Sequence, residues 1–156
     1  YDGVQATRQM DSLRARQPDL IEYVIVALET MGEDSLEMAI YVMFVVCSIF
    51  EQASEQTSNG ALRRVTNDEV VSAHKSNQQL RLTPNASARV FHEKYGPLEQ
   101  VKQPNVTRYV FEALMEADEG PDPVPLSQDQ ISSIYLILRT VIDVLDAALT
   151  QEAHMA

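Results

Sequence analysis

Cys47 and the histidines at positions 74, 92 and 154 are the residues with the widest chemical repertoire in this chain. A cysteine beside His74 or His92 would make a nucleophile and its base. Cys47, however, lies inside the apolar run from Met38 to Phe50, where burial raises a thiol's pKa and leaves it inert, so a packing role is expected. A carboxylate-bridged metal site in a helical bundle needs Glu-x-x-His on two helices. Val71 stands three residues before His74 and Arg89 three before His92, so the pattern is missing. Glu22 and Glu29 share a helix face with no histidine beside them and read as a solvated edge. Asp118, Asp122 and Asp129 fail as a calcium loop, because Gly120 and Pro123 occupy positions that need an oxygen ligand and a glycine. His154 sits beside the end of the chain, where ordering is weakest. No glycine-rich phosphate loop, Gly-x-Ser-x-Gly turn or His-Glu-x-x-His occurs. No catalytic, metal or cofactor residue is assigned, although carboxylates meeting inside a bundle would make an enzyme that no motif announces.

The elements that would position such groups are helical. With 156 residues, 45% apolar and 22% charged, the chain is long enough for one domain with a real core, spanning residues 1–156. A lone cysteine excludes a disulfide scaffold and agrees with a reducing compartment, so a cytoplasmic location is expected. The run from Met38 to Phe50 is short of the roughly 20 residues a membrane span needs, and Glu37 and Glu51 flank it, so no membrane association is expected.

Local punctuation marks the helix starts. Thr66 is followed by Glu69, with Val65 before and Val70 after, which is a capping box with a hydrophobic staple; Ser127, Gln130, Leu126 and Ile131 repeat it. Pro18, Pro84 and Pro104 suit first helical positions, and Gly32 and Gly96 suit helix ends. The sequons at Asn85 and Asn105 fall at helix starts, where asparagine is favoured for its own hydrogen bonding. Helices are predicted over 3–16, 18–31, 34–57, 67–81, 84–95, 104–118 and 128–150. The β-branched stretches around Tyr23–Ala27 and Ile40–Val46 are assigned to helices because their flanks are strong helix formers and the segments exceed strand length.

The fold class is therefore all-α, a single-domain bundle of six or seven helices with a central apolar helical hairpin made by 18–31 and 34–57. The third helix, apolar on every side between Met38 and Phe50, should be covered all round. The last should be amphipathic, with Ile131, Ile134, Leu138, Val141, Ile142, Leu145 and Leu149 inward. Arg139, Thr140 and Asp143 are placed on its wet side, with Arg139 and Asp143 spaced to pair. The Pro-rich stretch from Asp118 to Gln128 is read as a surface connector.

Charge is uneven. The total is −11, yet residues 61–102 carry a net +3 while 18–60 hold eight carboxylates and no Lys or Arg. Arg63, Arg64, Lys75, Arg81, Arg89 and Lys94 are expected to neutralise the hairpin's acids. An alternative is a helix-turn-helix over 67–95 that presents Asn85, Ser87, Arg89 and His92 to nucleic acid. The strongly acidic total opposes it. Apolar side chains off the main core stripes, Phe111 and Met115 on one helix and Leu136 on the last, fit a docking surface. The function expected is a protein-interaction or regulatory module that self-associates as a homodimer through that surface, with carboxylates selecting against wrong partners.

Overall fold

The computed structural model describes residues 3–56, 62–78, 103–117, 119, 123 and 125–155. Among them the chain forms six α-helices and no strand: α1 (Gly3–Arg16), α2 (Pro18–Leu28), α3 (Glu33–Gln56), α4 (Asn67–Gln78), α5 (Pro104–Met115) and α6 (Gln128–Met155). The helix expected over 84–95 lies outside the described residues. A 3-10 turn, Glu29–Met31, finishes the α2 arm of the hairpin. Gly32 then reverses the chain at φ 97°, an angle that side-chain-bearing residues rarely adopt. The all-α bundle and the hairpin of α2 and α3 are thus present.

Both capping boxes form. The Thr66 hydroxyl accepts from the Glu69 backbone N–H at 3.3 Å while the Glu69 carboxylate accepts from the Thr66 N–H at 3.1 Å. Ser127 and Gln130 exchange the same two bonds at 3.1 and 2.8 Å. Val65, Val70 and Ile131 are buried beside them, which fixes the angle at which the chain enters α4 and α6. Gln130 also donates to the Met31 carbonyl and the Ser35 hydroxyl, tying the start of α6 to the hairpin turn.

Enclosure differs from the expectation at two helices. α6 contacts α2, α3, α4 and α5, and its supposed wet side is covered. Thr140 is fully buried, and the Asn77 side chain of α4 donates to Thr140 Oγ1 at 3.1 Å and to Asp143 Oδ2 at 3.0 Å. Asp143 therefore pairs across the helix interface with Asn77. Polar groups on a buried helix face are tolerable when a neighbour satisfies them.

α3 departs the other way. Ala39, Val42, Met43, Val46, Cys47 and Phe50 enter the core, but Tyr41 and Ile49 on its far side are 53% and 40% exposed. By length and composition α3 is apolar enough to cross a membrane. Core helices pass the same test, and here α3 lays its inner face on α6.

Arg81, Arg89 and Lys94 lie outside the described residues; for Arg63 and Arg64 charge neutralisation takes another route. Arg63 forks onto Glu69 with both contacts at 2.8 Å, and Arg64 donates to the Ala15 carbonyl. The hairpin's Glu51 is met by Arg16 of α1, which lies outside the basic segment.

Candidate functional site

The three apolar side chains singled out from the sequence are packed inward. Phe111 sits edge-on to Tyr135, ring centroids 6.3 Å apart and planes at 89°, and Met115 is half-buried against the same core. Leu136 is buried on α6. Their off-stripe positions reflect α5 and α6 being packed on more than one side. The large apolar groups most open to solvent among the described residues are Val26, Tyr41, Ile49 and Val71.

Tyr41 and Ile49 belong to a continuous feature. Along α3, Tyr41, Phe44, Val45, Ser48, Ile49 and Gln52 recur in the i, i+3, i+4, i+7, i+8, i+11 pattern of one helix face, so they form one stripe. Gln9, Ser12 and Arg16 of α1 face that stripe across a groove of about 610 Å³. Gln17 alone joins α1 to α2, and Gly32 turns the chain from the α2 arm into α3, which brings α1 and α3 to the two sides of this groove. Arg16 pins them at one end: its Nε donates to Glu51 Oε2 at 2.5 Å and Nη2 to Oε1 at 3.2 Å. A bidentate guanidinium–carboxylate pair fixes orientation as well as distance. The α3 side of the groove thus carries Tyr41, Phe44, Val45 and Ile49 beside the polar Ser48 and Gln52, its α1 side is polar, and the one cation lining it among the described residues, Arg16, is already paired with Glu51.

The ends of α3 are acidic. Glu33, Asp34 and Glu37 are exposed at the N-terminal end, and Glu55 is exposed near the other end. Carboxylates in the first turn also oppose the positive end of the helix dipole favourably, which gives them a structural use beside any recognition role.

Cys47 is 2% exposed, and burial, reinforced by Glu51 and opposed by Arg16, pushes its thiol up to about 12. A thiol so held is no nucleophile at neutral pH. His74 makes its contacts elsewhere, with Tyr23 and Gln78. Among the described residues no cluster of three or more His, Cys, Asp or Glu could hold a metal ion. Asn85, Ser87, Arg89 and His92 lie outside the described residues, as do Asp118 and Asp122 of the rejected calcium loop.

One determinant was not visible in the sequence: Gln17, 2% exposed, which holds the segment before α4 in place and so sets where α1 ends. A glutamine between two helices looks like an ordinary linker residue. No protein-family model, curated protein or solved structure matches the chain.

Proposed function

We propose that the protein is an interaction module that receives a basic, amphipathic helix of another protein in the groove between α1 and α3. The observation carrying this reading is the exposure of Tyr41 and Ile49 on a stripe of α3 that also carries Phe44 and Val45. Solvent-exposed aromatic and aliphatic groups that line a groove are the usual anchors of helix-in-groove recognition. Buried apolar contacts would supply most of the affinity, and acidic residues at both ends of the stripe would select a partner carrying Lys or Arg outside its own apolar face.

Charge also weighs against a second copy as the occupant. Antiparallel pairing of two α3 helices would set Glu33, Asp34 and Glu37 beside Glu55, and parallel pairing would set the N-terminal cluster against itself. Both arrangements oppose like charges across an interface.

A fluorescently labelled amphipathic Leu/Lys helical peptide, titrated against the whole protein and followed by anisotropy, tests the reading. Saturable binding that weakens with added salt and falls about tenfold or more in Ile49→Lys is expected. Equal binding of a Leu/Glu peptide, or an unchanged affinity in Ile49→Lys, overturns it. So does a concentration-dependent dimer in light scattering that Tyr41→Asp abolishes, since the groove would then be filled by the protein itself.

A further inference from the structure

Two further clefts, sharing no residue with the groove, meet at Ala27 and His74, which line both. One, of about 390 Å³ between α2 and α4, is lined by Asp19, Glu22, Tyr23, Val26 and Asn67. The other, of about 280 Å³, continues to Ser133, Leu136 and Ile137 of α6. We propose that together they bind a small primary amine carrying an apolar ring or chain, its ammonium at Asp19 and Glu22 and its apolar end at Leu136 and Ile137.

Charge sets the head group. Asp19 and Glu22 line the first cleft, and no Lys or Arg lines either one among the described residues. An anion would surrender its hydration there without a counter-charge, whereas an ammonium meets two carboxylates. Asp19 Oδ2 accepts from the Asn67 N–H at 3.0 Å, which holds that carboxylate at the start of α4. Tyr23 is joined to Nδ1 of His74 by a hydrogen bond of 2.7 Å, the two rings edge-on with centroids 5.5 Å apart, so its ring stays in the wall beside the carboxylates. An aromatic ring together with carboxylates is a setting in which an organic cation is bound.

Length and volume set the rest of the molecule. Asp19 and Glu22 precede Ala27 on α2, and at 1.5 Å of rise per residue the charged end lies about 8–12 Å from the junction with the apolar cleft. A ligand must place its nitrogen about that far from its apolar end, which a benzene ring on a four-carbon chain does and benzylamine does not. Val26, 57% exposed in the acidic cleft, supplies apolar surface for the chain to cover. Each cleft is near the lower end of the range in which proteins hold small organic molecules, and the two together fall inside it.

4-Phenylbutylamine and 4-phenylbutan-1-ol, alike in shape but different in charge, are the probes, with benzylamine as the short control. In ¹H–¹⁵N spectra of the whole protein, the long amine is expected to shift the signals of Tyr23, Ala27, Ser133 and Ile137 saturably in the millimolar range. The alcohol should bind about fivefold more weakly, the ratio expected from one partly exposed ion pair. Benzylamine should move Tyr23 and leave Ser133 and Ile137 in place. Glu22 is exposed, so Glu22→Gln should keep the fold while removing most of the amine's advantage over the alcohol. Equal affinities for amine and alcohol, an unaltered amine affinity in Glu22→Gln, or no saturation in the millimolar range would each overturn the proposal. Displacement of the amine by the Leu/Lys peptide would do so too, because the clefts would then be a protein-docking surface.

Discussion

The side chain of Gln17 grips the backbone on either side of Arg64: its Oε1 accepts from the Val65 N–H at 2.8 Å and its Nε2 donates to the Arg63 carbonyl at 3.0 Å. A single carboxamide thus does for this segment what a neighbouring strand would do, and it leaves Val65 positioned to staple α4. Gln17→Leu has nearly the same volume but strands a buried N–H and a carbonyl. Loss of about 1–3 kcal/mol in urea unfolding is expected. A change within a few tenths of a kcal/mol would mean that the segment is held by other contacts.

Glu69 couples the start of α4 to acid. Hydrogen bonds from the Arg63 guanidinium, helped by Thr66, hold its carboxyl down to about 2, well below the usual 4.5. The folded state therefore prefers the ionised form. The resulting stabilisation is complete above about 4.5 and is lost as pH falls towards about 2. Glu69→Gln keeps a capping side chain but cannot titrate. At neutral pH it should be less stable by up to about 1 kcal/mol, and the difference from the unsubstituted protein should vanish near pH 2. A gap that stays constant over that range would contradict the assigned pairing.

Cys47 should report on opening of the core. With the thiol buried and its pKa pushed up to about 12, iodoacetamide at pH 8 is expected to label it only as fast as the protein unfolds. Phe50→Ala, which opens space one turn further along α3, should accelerate labelling in step with the stability it removes. Rapid labelling of the unaltered protein would show that α3 detaches from α6 without global unfolding.

The residues that were legible in the sequence are those whose structure is decided by near neighbours. Thr66 with Glu69, Ser127 with Gln130, and Pro18 and Pro104 at first helical positions set helix boundaries through contacts within one turn, and each is found where the pattern put it. Enclosure was harder to read because it depends on partners far along the chain. Thr140 and Asp143 look like a wet face until Asn77, 63 and 66 residues away, supplies their donors. Tyr41 and Ile49 look like core residues, since nothing local distinguishes an outward aromatic from an inward one on a helix that is apolar all round. Phe111 likewise needs Tyr135 beside it before its off-stripe position makes sense as packing.

Hydrogen exchange of the whole protein with and without a saturating Leu/Lys amphipathic peptide tests the proposed role most directly. Slowed exchange confined to α1 and the 41–52 stretch of α3, absent when Tyr41 and Ile49 are both changed to Ser, is the predicted footprint. Protection centred on 106–115, or none anywhere at saturation, would contradict it.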